Sequence, residues 1–176
     1  TLANNPDLAY FDSAASTQTH EAVLKAMNNY YCNFRSNTNR GEYDISERTS
    51  NALDIAKQQV ADLVNVSSDS IMFTSGTTQG LNMIARWMKD KKRIIVTEAE
   101  HNANIVPWLT QGKSSADESI IVMPINDFDG LINLNELETI LEKTSDGWQD
   151  TMVSFCATSN VTGVTQPWQD IATLSH

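Results

Sequence analysis

Arg93-Ile94-Ile95-Val96 is a short apolar run, and Thr97-Glu98-Ala99-Glu100-His101-Asn102-Ala103-Asn104 comes directly after it. The run reads as a strand, and the segment from about Asn102 to Leu109 reads as a short helix. The same alternation repeats on both sides. Ile71-Met72-Phe73 reads as a strand ahead of a helix marked by Leu81, Ile84, Ala85 and Met88. Ser119 to Met123 reads as a strand ahead of a helix marked by Leu134, Leu137, Ile140 and Leu141. Met152-Val153-Ser154-Phe155-Cys156 reads as a fourth strand, and Pro167 fits the first turn of a helix carrying Trp168, Ile171 and Leu174. Strands alternating with helices predict an α/β fold, a mostly parallel sheet with helices on both faces.

The amino-terminal part is less regular. Ala9-Tyr10-Phe11 is a short strand signal. Thr19 is the expected cap of a helix carrying Val23, Leu24, Met27, Tyr30 and Tyr31 on one side. Arg35 to Asp44 is polar and irregular, and Ser46 with Glu47 opens a long amphipathic helix. Its expected buried stripe is Ala52, Leu53, Ala56, Val60, Leu63 and Val64.

Composition narrows the function classes. The chain has 176 residues, with 12 Lys and Arg against 22 Asp and Glu, a net charge of −10. That disfavours a nucleic-acid footprint, which needs clustered cations to displace counterions. The longest apolar runs are four residues, such as Ile120-Ile121-Val122-Met123, where a membrane span needs about 20. Cys32 and Cys156 make no disulfide framework or zinc pattern, and a reducing, cytoplasmic compartment is the expectation. From Asp117 to Asp150 there are nine acidic residues and one basic, Lys143, which reads as a solvated surface or an acidic docking patch.

In an open parallel sheet, ligands bind beyond the carboxyl ends of the strands. After the first expected strand comes Thr74-Ser75-Gly76-Thr77-Thr78-Gln79-Gly80. Hydroxyls at a helix amino terminus favour an anion, although an ordinary threonine cap reads the same way. After the second comes His101, whose flat ring suits stacking on a planar group, or which simply closes a loop. His20, His101 and His176 have no metal-ligand spacing. After the fourth comes Asn160 in Ala157-Thr158-Ser159-Asn160-Val161-Thr162-Gly163, an amide for a ring hydroxyl or a plain turn asparagine. Together, an anion cradle, an aromatic ring and an amide suit a planar phosphorylated cofactor, and pyridoxal 5'-phosphate fits.

These residues resemble a known family. Phe11-Asp12-Ser13-Ala14-Ala15, Asn39-Arg40-Gly41, Ser46-Glu47-Arg48, Phe73-Thr74-Ser75-Gly76-Thr77-Thr78, Glu100-His101-Asn102-Ala103-Asn104-Ile105-Val106-Pro107-Trp108 and Ser159-Asn160-Val161-Thr162-Gly163 are similar to segments of the class V aminotransferase superfamily. Within it they look most like cysteine desulfurases of the SufS/CsdA type. The resemblance implies fold type I of the pyridoxal-phosphate enzymes, with residues 1–45 as an amino-terminal segment near the active-site entrance and 46–176 as an incomplete cofactor-binding large domain. It implies that Thr77 and Thr78 hold the phosphate, His101 stacks on the pyridine ring and Asn160 contacts the ring hydroxyl. Ala14, Asn39 and Arg40 would lie near substrate.

The implied reaction takes sulfur from L-cysteine, leaving alanine and an enzyme persulfide, in a homodimer that feeds a sulfur-acceptor protein in iron–sulfur cluster assembly. Two positions depart from the family pattern: Asn39 and Asn102 stand where it usually has histidine. The Schiff-base lysine and persulfide cysteine of the family lie beyond the matching segment. Lys25, Lys57, Lys89, Lys91, Lys92, Lys113 and Lys143 read as surface charges, and Cys32 and Cys156 as buried, inert thiols. The chain is thus expected to be an amino-terminal fragment with no catalytic residue of its own, inactive as given. The alternatives are another class V enzyme, such as an aminotransferase or a kynureninase-like or sulfoxide lyase, or a non-catalytic paralogue.

Overall fold

The computed structural model describes residues 4–39, 41–91, 93–143 and 150–176. Arg40, Lys92 and Asp146 lie outside the described residues. The chain forms two compact units, Thr1–Phe73 and Thr74–His176.

In the first unit, α1 spans Glu21–Asn33 and α2 spans Asp44–Val64. The cap of α1 is His20, not Thr19: the His20 Nδ1 accepts the Ala22 N–H at 3.1 Å. The apolar side of α1 is not buried, with Leu24 and Tyr31 more than half exposed. Nor is Ala9-Tyr10-Phe11 a strand, and Phe11 is 94% exposed.

The buried line of α2 is offset from the expected one. Ser46, Thr49 and Ala61 are buried, with Leu53, Ala56 and Val60 partly so, while Ala52, Leu63 and Val64 face outward. Two hydroxyls can sit on the buried side because each has a carbonyl acceptor. Ser46 donates to the Asn37 oxygen at 2.9 Å, and Thr49 donates to Phe34 and Ile45. Cys32 on α1 is exposed, its thiol 3.5 Å from the Asn28 side-chain oxygen, because it lies on a helix with no buried residue.

The second unit contains α3 (Thr77–Trp87), β1 (Arg93–Thr97), α4 (Asn102–Thr110), β2 (Ile120–Met123), α5 (Leu134–Lys143), β3 (Thr151–Val153) and α6 (Trp168–Ser175). The three strands form a parallel sheet in the order β2-β1-β3. Ile94 pairs with Ile120 on one side and Met152 on the other. Side chains alternate across β1. Ile94 and Val96 pack with Ala85 of α3, Trp108 of α4 and Ile120. Ile95 packs the opposite way, with Met123, Ile132, Leu137 and Leu141 of α5, and Ile171 of α6. The sheet therefore carries helices on both faces, as the alternation predicts. Burying each such aliphatic side chain stabilises the unit by about 1.5–3 kcal/mol.

Two expected strands change. Ile71 is extended, but Ile71-Met72-Phe73 forms no ladder, and Met72 and Phe73 are more than half exposed. Local β-propensity makes a strand only where a partner accepts the backbone bonds, and the described residues supply none there. The last strand is shorter than expected. Ser154 still donates to the Ile95 oxygen at 2.8 Å, but the next ladder donor, Cys156, turns its N–H to the Glu100 carboxylate instead. Cys156 is thus beyond the strand and half-buried, its thiol donating to the Thr158 oxygen at 3.0 Å.

Candidate functional site

The amino end of α3 has an unusual cap. Gly76 occupies the N-cap with φ 158° and ψ 176°, and no side chain caps the helix. A Cβ at Gly76 would meet nothing within 4 Å, so the space ahead of the first turn is open. Two contacts hold the loop, one of them from the helix. Gln79 Oε1 accepts the Ser75 N–H at 2.6 Å, and Thr74 donates its hydroxyl to the Gly76 oxygen at 3.1 Å. Thr77 and Thr78 are exposed on that first turn, and the Asn82 amide donates to the Thr78 backbone oxygen at 2.8 Å. Such a terminus presents N–H donors and about half a positive charge to an anion.

Thr78 and Asn82 line one open cavity with His101, Ala103, Val106 and Pro107. Its volume is about 310 Å³, at the lower end for small-molecule sites. His101 is the N-cap of α4, and its Nδ1 accepts the Ala103 N–H at 3.0 Å. That bond fixes the ring orientation. Asn102, the second departure from the family pattern, is the first residue of α4 and also lines the cavity.

Thr77 and Asn160 are not among the lining residues. Asn160 is exposed in a turn after β3. That turn is closed by the Ser159 hydroxyl, which accepts the Val161 and Thr162 N–H groups at 3.3 Å, and by a bridge between Thr158 and Thr165.

Sequence reasoning overlooked the groups that hold these loops. Glu98 Oε1 accepts the Ile125 N–H at 2.9 Å, just beyond β2. Glu100 Oε1 accepts the Thr97 hydroxyl and the Cys156 N–H, each at 2.8 Å, and Glu100 Oε2 accepts the Asn104 amide at 2.8 Å. Asn104 in turn accepts the Ser154 hydroxyl at 2.7 Å. The available signal was the spacing of Glu100 and Asn104, four residues apart at a helix start.

Among the substrate-side candidates, Ala14 is exposed in a turn where Ala15 and Ser16 donate to the Asp12 oxygen. Asn39 has φ 63°, a left-handed conformation that asparagine tolerates better than most residues, and its N–H donates to Ser50 at 3.0 Å. Arg40 lies outside the described residues. Lys25 forms an ion pair with Glu21 at 2.7 Å, a surface contact.

The family profile described as aminotransferase class-V matches residues 9–176. A cysteine desulfurase of Synechococcus elongatus is 32% identical over 179 residues, covering 98% of this chain and 28% of that protein. The cysteine desulfurase SufS of Plasmodium falciparum is 31% identical over 166 residues, covering 90% of this chain and 29% of that protein. The apo structure of a cysteine desulfurase from Thermococcus onnurineus NA1 superposes with a TM-score of 0.80 at 24% identity, covering 99% of this chain and 42% of that one. The chain therefore spans well under half the length of these relatives. The profile match over nearly its whole length is decisive, and the chain belongs to the class V aminotransferase family.

Proposed function

We propose that Thr77, Thr78, His101 and Asn160 hold pyridoxal phosphate and that the chain is the cofactor-cradling part of a cysteine desulfurase-like enzyme. One observation carries the reading: Thr78, on a helix turn without a side-chain cap, and His101 line the same cavity. The donor set fits the group. A doubly anionic phosphate matches backbone N–H groups, a threonine hydroxyl and a helix dipole. When bound, pyridoxal phosphate supplies an electron sink for the electrons released at an amino acid's α-carbon.

The chain's own residues bind and orient. The first turn of α3 neutralises the phosphate charge. His101, its ring fixed by the Ala103 N–H, sets the plane of the pyridine. Asn160 donates its amide to the phenolic oxygen. On the family resemblance, residues 1–45 are an amino-terminal segment near the active-site entrance, with Ala14, Asn39 and Arg40 near substrate, and 46–176 are an incomplete cofactor-binding large domain. Cys156 is a poor nucleophile here, since its thiol is engaged with Thr158. On the family resemblance, the covalent steps fall to a Schiff-base lysine and a persulfide cysteine that no residue of this chain matches.

The names of the matched relatives favour L-cysteine as substrate, yielding alanine and sulfur, over transamination or kynureninase-like chemistry. From the family resemblance alone, we further propose that the complete enzyme acts as a cytoplasmic homodimer that passes sulfur to an acceptor protein for iron–sulfur cluster assembly. No helix among the described residues is long and apolar enough to cross a membrane.

The test uses deoxypyridoxine phosphate, which has a methyl group in place of the aldehyde and cannot react with surface lysines. Calorimetry should show it binding at least about tenfold more tightly than deoxypyridoxine, about 1.4 kcal/mol from the phosphate. Thr78→Val should narrow that gap. Equal affinities, or no binding of either compound, would defeat the reading.

A further inference from the structure

β1 is the central strand, and the loop leaving it carries two carboxylates, Glu98 and Glu100. Glu98 fastens that loop to the segment beyond β2, and Glu100 fastens it to the segment beyond β3. The Glu100 contacts are the more extensive. Three donors converge on its two oxygens: the Thr97 hydroxyl, the Cys156 N–H and the Asn104 amide. Thr97 and Asn104 are 4% and 6% exposed, so two of the donors are removed from water. Bonds to an ionised acceptor are roughly twice as strong as neutral ones. The network then runs on through Asn104 to the Ser154 hydroxyl.

Glu100 immediately precedes His101, and Cys156 lies in the segment that leads to Asn160. One carboxylate therefore sets the register of two loops that a planar cofactor needs at the same sheet edge. We propose that Glu100 is a positioning residue, holding the His101 loop against the Asn160 segment so that ring and amide meet one ligand. The proposal rests on the cofactor reading above.

Asn104→Asp sets a second carboxylate against Glu100 and breaks the network. Glu100→Gln combined with Asn104→Asp restores every bond with one donor reversed: the new amide donates, and the new carboxylate accepts from it and from Ser154. Three quantities are measured at a temperature where circular dichroism shows each variant folded. Two need no ligand: the His101 Cε1–Hε1 NMR signal and the hydrogen-exchange rate of the Cys156 amide. The third is the affinity for deoxypyridoxine phosphate.

Asn104→Asp should shift the His101 signal, speed Cys156 exchange and weaken binding, the last two by about tenfold. The double variant should return all three to near wild-type values. A merely structural contact would leave affinity unchanged in folded protein. Should Asn104→Asp fail to fold, Thr97→Val removes a single donor at nearly constant shape and should move the same signals in the same direction. Unchanged affinity in a folded variant, or no recovery in the folded double variant, overturns the proposal. Absence of binding by the wild type overturns the cofactor reading, and the two ligand-free signals then judge the loop coupling by themselves.

Discussion

Gln79 reaches back from the first turn of α3 and accepts the Ser75 backbone N–H on its Oε1 at 2.6 Å. The loop ahead of the helix is thus held by the helix's own side chain. No residue at the N-cap performs that task, and the first-turn amides are left to face an incoming anion.

Gln79→Ala removes this tie. Stability should fall by about 0.5–1.5 kcal/mol, the ordinary net worth of one hydrogen bond, and toward the low end because the site is exposed. Urea unfolding reads the loss. The affinity for deoxypyridoxine phosphate should fall as well, because the loop no longer holds its shape before the ligand arrives.

Gly76→Ala should destabilise the second unit by about 1–3 kcal/mol. Space is not the reason, since a Cβ there meets nothing within 4 Å. The cause is the backbone, whose φ of 158° with ψ of 176° is a region that residues with a Cβ rarely adopt. A urea midpoint equal to that of the wild type would show that the loop adjusts freely.

His101 has two separable tasks, capping α4 and orienting a ring. His101→Asn keeps a cap acceptor for the Ala103 N–H and removes the ring. His101→Ala removes both. The alanine variant should lose about 1 kcal/mol of stability, while the asparagine variant stays close to wild type. Both should bind deoxypyridoxine phosphate more weakly. Comparing thermal midpoints with calorimetric affinities separates the tasks.

Asp117 supplies the pH prediction. The Ser119 side chain and backbone N–H, and then the Ser114 hydroxyl, hold its carboxyl below the ordinary value of 3.8. A folded-state value lower than the unfolded one adds stability that is complete above about pH 4 and disappears as pH falls through the lowered value. The group is fully exposed, so the effect on unfolding should be small. Its NMR titration midpoint should lie below 3.8, and Ser119→Ala should raise it toward that value.

Much of the fold was legible because β1 and its helices bury apolar residues at regular spacing. Ile94 to Val96, Leu137 with Leu141, and Ile171 are read from periodicity and found in the core. Periodicity misplaced the α2 stripe because the buried Ser46 and Thr49 are polar, and only their carbonyl partners make burial possible. It counted Ile71 to Phe73 as a strand because propensity is local and pairing is not. It kept Cys156 inside a strand because nothing in an apolar run announces a carboxylate from 56 residues earlier taking the ladder bond. In the candidate site, Thr78 and His101 were legible because each sits just past the carboxyl end of an expected strand. Glu100 and Gln79 were missed because they act on the backbone, where composition leaves no mark.

The placement of β1 between two apolar layers has a thermodynamic consequence. Both layers are built on the same strand, Ile95 facing one and Ile94 with Val96 the other, so neither has a scaffold of its own if the other melts. The second unit should lose its heat-absorbing structure in one cooperative step, with equal calorimetric and van't Hoff enthalpies. Damage done on the α5–α6 side should then be felt in full on the side where α3 and α4 stand.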